Sequence, residues 1–291
     1  MDFEIIFSNY VSRFENLLSE KLNKLDKNAP AVIKDAISYA ITDGGKRIRP
    51  VLLYATADML NVNLECVDNF ALSIEMIHSY SLVHDDLPSM DNDDYRRGKL
   101  STHKKFGEAI GVLAGDALLN LAFETALDKE YFNNYDYKAL KLLGEYSGYN
   151  GMIAGQILDI QAEKSSNLDF DSLYNIHVNK TGKLITAPLL IASIFANYKY
   201  YDELFELGKT IGLIFQITDD IMDVEGSFET IGKTTGKDQN ENKLTSVKLL
   251  GLDGAKKYNQ ELYQTALQIL KKFENSEFMT LLVNKLVNRK K

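Results

Sequence analysis

The sequence predicts an all-α protein, folded as a single helical bundle. Apolar residues recur at intervals of three and four along most of the chain, as at Phe14, Leu17, Leu18 and Leu22, and no stretch shows sustained strand alternation. Proline and glycine are few, 4 and 18 of 291 residues, and no linker-like segment interrupts the pattern. Because 45% of the residues are hydrophobic, the chain can bury one large core, and we expect residues 1–291 to form one domain.

Turn-forming residues divide this periodic sequence into roughly ten or more helices. Pro50 suits an early helical position, Pro88 should end the helix before it, and Asp136 and Asp169 are plausible N-caps. The apolar run Leu184–Ala196 should form a buried helix. Breaks are predicted at residues 28–30, 43–50, 88–98, 133–136, 165–169, 181–182, 226–236 and 251–254.

Composition excludes several classes of function. A net charge of -8 and a pI near 5.2 argue against a nucleic-acid-binding surface, which needs a broad basic face. The single Cys66 excludes an intramolecular disulfide and a cysteine-rich zinc site. The N-terminus has acidic residues where a secretory signal would be basic, and the run Leu184–Ala196 is too short to span a bilayer. We therefore expect a cytoplasmic protein with no integral membrane segment.

A first aspartate cluster, Asp85-Asp86 followed by Asp91 in DDLPSMD, adjoins apolar helical sequence. Burying an unpaired carboxylate is costly, and acidic residues at the C-terminal end of a helix oppose its dipole. A hard divalent cation such as Mg²⁺ would offset both costs. For an isolated pair of aspartates, a solvated acidic helix end would be the alternative.

A second cluster, DDIMD, repeats the pattern later in the chain. Asp219 and Asp223 lie one helical turn apart on the same face, and Asp220 lies on an adjacent one. These like charges repel and their neighbours are apolar, which favours a shared cation over an acidic surface stripe. Two such clusters indicate Mg²⁺ and a polyanionic ligand.

Basic residues that could hold a polyanion are local rather than widespread. Gly44 and Gly45 precede a basic run and would let backbone N–H groups approach an anion near a helix start. Alone, this turn fits a solvated basic loop equally well. The candidates are Lys46, Arg47, Arg49, Arg96, Arg97, Lys180, Lys233, Lys237 and Lys243. Two long polar connections, residues 88–104 and 226–243, each follow an aspartate cluster and are expected to close over a ligand.

Taken in order, several segments closely resemble the trans-isoprenyl diphosphate synthases, in particular bacterial farnesyl diphosphate synthases. They are GGKRIRP, IHSYSLVHDDLPSMDNDDYRRG, HKKFGEAIGVLAGDALL, NKTGKLI and FQITDDIMDVEG with a following GK. The resemblance covers nearly the whole chain. Since the second cluster is another DDxxD, a class I terpene cyclase is disfavoured.

This resemblance implies a polyprenyl synthetase domain, a helical bundle around a deep cavity, working as a homodimer. It implies a prenyltransferase that joins isopentenyl diphosphate to dimethylallyl and then geranyl diphosphate, giving farnesyl diphosphate by ionisation, condensation and elimination. These small isoprenyl diphosphates would be its partners, and three Mg²⁺, or alternatively Mn²⁺, would be its cofactors.

The resemblance also implies roles for individual residues. The metal ligands would be Asp85, Asp86, Asp91, Asp219, Asp220 and Asp223. Isopentenyl diphosphate would contact Gly45, Lys46, Arg49, His78 and Arg97. The allylic diphosphate would contact Arg96, Lys180, Thr181, Gln216, Lys233 and Lys243. Nearest to the reacting atoms would be Lys180, Thr181 and Gln216, the last two as dipoles that stabilise a carbocation.

Product length depends on the floor of the hydrocarbon channel. Ser81 and Tyr80, the fourth and fifth residues before Asp85, lie about one turn below the metal site, where a bulky ring would shorten the product. A core tyrosine without a gating role is the alternative. For His84, a structural hydrogen bond is favoured over metal ligation beside Asp85, and no role is evident for His103 or His177.

Two rival functions remain open. A geranylgeranyl diphosphate synthase would use the same chemistry and differ at the channel floor. A non-catalytic subunit of a heteromeric synthase belongs to another class. Such subunits typically lose an aspartate cluster, and this chain keeps both.

Overall fold

The computed structural model describes residues 2–42, 44–163, 165, 169–225 and 244–289. The described chain is helical almost throughout, which confirms the predicted all-α fold. Its α-helices are α1 (Phe3–Asn23), α2 (Ala31–Thr42), α3 (Ile48–Met59), α4 (Asp68–Asp85), α5 (Thr102–Phe106), α6 (Glu108–Leu127), α7 (Asn134–Ser147), α8 (Met152–Glu163), α9 (Phe170–His177), α10 (Lys183–Phe195), α11 (Tyr201–Glu225), α12 (Ser246–Leu270) and α13 (Glu277–Val287).

Four shorter elements connect these helices in the described chain. A 3-10 turn, Leu64–Cys66, precedes α4, and a π-helix, Val178–Gly182, joins α9 to α10. Two strands, β1 (Tyr95–Arg96) and β2 (Lys99–Leu100), form a small antiparallel hairpin after the first aspartate cluster.

Helices α3, α4 and α10 are buried on nearly all sides, which identifies them as the centre of the bundle. Helix α6 packs along α4, α10 lies between α3 and α11, and α12 covers α11. One continuous apolar cluster runs from Phe14 in α1 to Leu286 in α13. The buried helix predicted over Leu184–Ala196 is confirmed as α10, with Pro188 inside it.

Several predicted boundaries agree with the fold, and the differences have local causes. The predicted break at 226–236 and the long connection 226–243 lie outside the described residues. Helix α4 ends at Asp85, before Pro88, and the side chain of Asp169 caps α9 by accepting from the Ser172 N–H at 2.9 Å. The N-cap prediction for Asp136 is wrong. Asn133 caps α7, while Asp136 is the third residue of a capping box and accepts from the Asn133 N–H at 3.0 Å.

Two predicted breaks are continuous in the fold. At 181–182 the chain does not leave the helix but widens into the π-helix, a feature that often marks functional positions. At 251–254 helix α12 continues through a kink at Gly251, whose φ of 70° lies in the left-handed region.

Among the described residues, one helix is long and apolar enough to cross a membrane by length and composition alone. This is α6, with a window of mean hydropathy 1.4 of which 44% is buried in the fold. Its Ala114 and Leu118 are fully buried, and α6 packs along α4. These contacts are those of a core helix.

Candidate active site

The π-helix lies close to both aspartate clusters. The first cluster stands at the C-terminal end of α4, and the second lies in the last turns of α11. Lys180 of the π-helix is in the electrostatic field of Asp85, and the next residue, Thr181, donates a hydrogen bond to Gln216 Oε1 on α11 at 3.0 Å. The fold therefore brings the two clusters to one site.

Each carboxylate of the first cluster is in a different environment. Gln156 Nε2 on α8 donates to Asp85 Oδ1 at 2.5 Å. The Asp86 carboxylate is only 3% exposed, and Arg96 Nε donates to its two oxygens at 2.9 and 3.1 Å. Burial raises the pKa of Asp86 above its ordinary value, although Arg96 opposes the shift. The Asp91 N–H donates to the Asp85 carbonyl at 2.9 Å, which folds the loop back beneath the helix end.

Lys180 is a second cation near this cluster, after Arg96. Its Nζ donates to Asp159 Oδ2 on α8 at 2.6 Å. Burial disfavours the charge of Lys180, but Asp85 and Asp159 more than offset it, so the pKa of the ammonium is raised. The backbone of the π-helix can pack closely against α8 because residue 155 is glycine. A Cβ at this residue would lie 2.0 Å from the backbone nitrogen of Lys180.

The second cluster has one buried carboxylate, Asp220, and two partly exposed ones, Asp219 and Asp223. Asp220 is 3% exposed; its Oδ2 accepts from the Ser246 N–H at 2.7 Å and its Oδ1 accepts from Gln216 Nε2 at 3.3 Å. The bond from Ser246 ties α11 to the start of α12. His177 Nε2 lies 3.9 Å from the same carboxylate, and burial lowers its pKa to about 4.

Asp219 is more open and is paired with the C-terminal segment. Arg289 Nη2 donates to Asp219 Oδ1 and to the Phe215 carbonyl, both at 2.6 Å. The guanidinium also stacks on the Phe215 ring, with its central carbon 3.9 Å from the ring centroid. Arg289 had not been singled out in the sequence.

Basic side chains around the start of α3 and in the hairpin form a group, called here the basic group: Lys46, Arg49 and Arg97. Gly45 has a φ of 127°, and a Cβ at this residue would lie 2.8 Å from Arg97 Nη1, so glycine is needed for conformation and for space. The Arg97 Nη1 donates to the Gly44 carbonyl. Burial and the charge of Arg289 lower the pKa of Lys46.

Two further predicted contacts belong to this basic group. Arg49 is 9% exposed, and burial lowers its pKa to about 10. His78 has a pKa well below its ordinary value because of burial and the charges of Arg49 and Arg97, so its imidazole is neutral near pH 7. Arg47 is structural: it donates to Glu75 at 3.0 Å and stacks on Phe14.

The predicted channel floor is buried below the first cluster. Tyr80 is 6% exposed, and burial raises its pKa to about 12. Its hydroxyl has no hydrogen-bond partner among the described residues. Ser81 donates to the His78 carbonyl at 2.8 Å. His84 Nε2 donates to the Val112 carbonyl at 2.9 Å, which is the structural hydrogen bond that the sequence favoured.

The donor set fits Mg²⁺. Within the described ranges, no three carboxylate, imidazole or thiol side chains stand close enough to form a complete metal site by themselves. Mg²⁺ is usually held by one or two carboxylates and completed by water and substrate phosphates, unlike zinc or calcium in an all-protein cage. Carboxylates at the ends of α4 and α11 beside basic side chains match this mode. Lys233, Lys237 and Lys243 lie outside the described residues.

Sequence reasoning missed three residues that contact the site: Gln156, Asp159 and Arg289. Gln156 and Asp159 lie three apart on α8, directly after Gly155. Such a polar pair on one face of a partly buried helix is a signal that could have found them. Arg289 carries no comparable local signal because its partner is 70 residues away in sequence.

Paired carboxylates that can hold a cation, with basic side chains on both sides, are the features of a metal-dependent enzyme that acts on diphosphates. The polyprenyl synthetase family model matches residues 30–286, and the chain belongs to that family.

The chain is 46% identical to a farnesyl diphosphate synthase of Micrococcus luteus, over 96% of each chain. Similarity to a geranylgeranyl pyrophosphate synthase of Arabidopsis thaliana is lower, 38%, over 93% of this chain and 76% of the plant protein. A Helicobacter pylori geranyltransferase, solved in complex with magnesium and isoprenyl diphosphate, superposes with a TM-score of 0.82 at 34% identity, over 97% of this chain and 96% of that one.

Proposed function

We propose that this chain is a Mg²⁺-dependent prenyltransferase that adds isopentenyl diphosphate to dimethylallyl and then geranyl diphosphate, yielding farnesyl diphosphate. One observation carries the proposal and concerns two consecutive residues of one π-helix. Lys180 interacts electrostatically with Asp85 of the first aspartate cluster, and Thr181 is linked through Gln216 to Asp220 of the second. A single diphosphate placed against that helix would meet groups from both clusters. Family membership and the farnesyl diphosphate synthases among its relatives support the same function.

The reaction requires charge stabilisation at the leaving diphosphate. Ionising an allylic C–O bond builds negative charge on that group, and fixed positive charges that meet it there lower the barrier selectively. Lys180 and Arg96 would supply such charge, held in place by Asp159 and Asp86. Bound Mg²⁺ would add Lewis-acid stabilisation, with three ions held by Asp85, Asp86, Asp91, Asp219, Asp220 and Asp223.

The allylic carbocation would lie near Thr181 and Gln216. The Thr181 hydroxyl directs its proton to the Gln216 oxygen, so the lone pairs of Thr181 remain available to face positive charge. Neutral dipoles of this kind stabilise a cation without capturing it. The double bond of isopentenyl diphosphate then attacks, and the departing diphosphate takes the proton, so no dedicated side-chain base is needed.

Isopentenyl diphosphate would bind at the basic group around α3. Lys46, Arg49 and Arg97 provide positive charge there, and Arg49 Nε is a buried donor with no partner among the described residues. A diphosphate oxygen would satisfy such a donor. Neutral His78 would contribute a hydrogen bond rather than a charge.

We also propose that residues 1–291 form one polyprenyl synthetase domain that works as a cytoplasmic homodimer. The shared core from α1 to α13 supports one domain. The apolar side chains of Val112 and Leu113 on α6, 42% and 54% exposed, offer a surface for a second copy. Sedimentation of the purified protein tests the dimer.

The test of the function is incubation of purified protein with labelled isopentenyl diphosphate, each allylic primer and Mg²⁺, followed by product analysis. We expect a fifteen-carbon diphosphate as the main product, none with EDTA, and restoration by Mg²⁺ or Mn²⁺. A twenty-carbon main product would instead make the chain a geranylgeranyl diphosphate synthase. No product with any primer would refute the proposal.

A further inference from the structure

Arg289 pairs with Asp219, a carboxylate of the second aspartate cluster that is more open than Asp220. Its side chain is 8% exposed, whereas that of Asp219 is 42% exposed. The arginine is therefore held within the protein and reaches out to the carboxylate. The stack on Phe215 and the bond to the Phe215 carbonyl fix the guanidinium on α11.

The position of Arg289 is set by a well-packed helix. It follows α13 by two residues, and α13 buries Phe278, Leu282 and Leu286 in the core. Helix α13 also packs against α3 and α11, the helices that carry the basic group and the second cluster. Arg289 therefore lies at the border between the basic group and the second aspartate cluster.

One donor of the Arg289 guanidinium makes no hydrogen bond with the described residues. Arg289 Nε is buried and has no hydrogen-bond partner among the described residues. A buried donor without an acceptor is costly, and a charged one more so. Arg49 Nε, in the adjacent basic group, is in the same condition. Two such donors indicate an acceptor-rich anion as the ligand of this border.

Asp219 also links the two groups electrostatically. It raises the pKa of Lys46 and of Arg49, against the dominant effect of their burial, while Arg289 lowers the pKa of Lys46. Neutralising Asp219 with a cation would leave three positive side chains close together. An anion would then bind more favourably there.

We propose that Arg289 is a positioning residue that competes with a divalent cation for Asp219 and, once the cation holds that carboxylate, donates to the isopentenyl diphosphate at Lys46 and Arg49. The identity of the anion rests on the function proposed above. In this exchange the cation at the allylic site favours binding of the second substrate. The Arg289–Asp219 pair disfavours premature cation binding.

The exchange is tested by binding rather than turnover. Mn²⁺ serves as a probe visible by electron paramagnetic resonance, and isopentenyl diphosphate is titrated by calorimetry with and without Mn²⁺. In Arg289→Gln the competing charge is gone, so Mn²⁺ should bind about two- to fivefold more tightly, the range expected for a partly exposed ion pair. Isopentenyl diphosphate, with Mn²⁺ present, should bind about tenfold more weakly.

Three further variants make the result specific. The tightening of Mn²⁺ should vanish when Arg289→Gln is made in an Asp219→Asn background. Arg289→Lys keeps the charge without the planar fork, and should lie between wild type and Arg289→Gln in both titrations. Lys285→Gln removes another cation, from α13, the helix that precedes Arg289. Lys285 pairs with Glu4 at 2.6 Å, away from the site, so this variant should match wild type.

Unchanged or weaker Mn²⁺ binding in folded Arg289→Gln would overturn the proposal, as would unchanged binding of isopentenyl diphosphate. Product formation by the wild-type protein is measured separately. An active wild type with an unresponsive Arg289→Gln refutes the exchange alone. A wild type that binds both probes as described, yet forms no prenyl product, refutes the proposed reaction instead.

Discussion

Replacing Tyr80 separates its role in product length from its role in stability. Tyr80 precedes Asp85 by five residues on α4, so the backbone positions of the two lie about 7.5 Å apart along the helix axis. The side chain is buried and packs edge-on against His84, with ring centroids 5.8 Å apart. Removing the ring should open the channel where the growing chain ends. We expect Tyr80→Ala to form products longer than fifteen carbons.

The stability of the same variants follows from the contacts of the ring. Truncating a buried aromatic side chain to alanine lowers the free energy of unfolding by about 3–5 kcal/mol. The Tyr80 hydroxyl has no partner among the described residues, so Tyr80→Phe loses no hydrogen bond. Because an unpaired buried hydroxyl is itself costly, Tyr80→Phe should gain about 1 kcal/mol.

The assay combines chain-length analysis of the products from labelled isopentenyl diphosphate and geranyl diphosphate with urea unfolding of each variant. Tyr80→Phe is the matched control, since it keeps the ring and should keep the fifteen-carbon product. If folded Tyr80→Ala gives the wild-type product spectrum, the ring is not the floor of the channel. If Tyr80→Phe also lengthens the product, bulk is not the relevant property.

Three other predictions concern the aspartate clusters and the residues that support them. Asp85→Ala and Asp219→Ala should each lower kcat by at least about a hundredfold while the fold is retained, because each removes a carboxylate that would bind metal; steady-state kinetics and circular dichroism check this. Asp159→Asn should lower kcat by about ten- to a hundredfold, because the 2.6 Å ion pair that holds Lys180 is lost. His177 remains neutral when folded, with a pKa lowered by burial from 6.5 to about 4, whereas the unfolded imidazole takes up a proton below pH 6.5. The wild type should therefore lose about 2 kcal/mol of unfolding free energy through this residue between pH 7 and pH 5, a loss absent from His177→Gln in EDTA.

Each of these has an outcome that contradicts it. Near-normal turnover in a folded Asp85 or Asp219 variant would remove that residue from the metal site. Asp171, an exposed acid on α9, is the control for Asp159, and equal effects of the two Asn substitutions would show a general charge effect. Equal pH dependence of the wild type and His177→Gln would mean that His177 titrates normally.

The sequence alone predicted the helical architecture and the residue types of the site. Apolar spacing, helix stops such as Pro88 and the like-charged pair Asp219 and Asp223 depend on interactions within about one helical turn, and such local rules can be applied without coordinates. The error at Asp136 was also local: Asn133 and Asp136 are both good capping residues, and the reciprocal hydrogen bonds of the capping box distinguish them.

The partners of the site residues depended on tertiary packing. Gln156 reaches Asp85 across 71 residues and Arg289 reaches Asp219 across 70, and neither pairing leaves a periodic trace in the sequence. The π-helix at Lys180 likewise could not be anticipated, because its closeness to α8 depends on Gly155, a residue on another helix. Local periodicity specifies which face of each helix is apolar, whereas the packing of one helix on another determines which charges meet; the chemistry of this protein depends on the second.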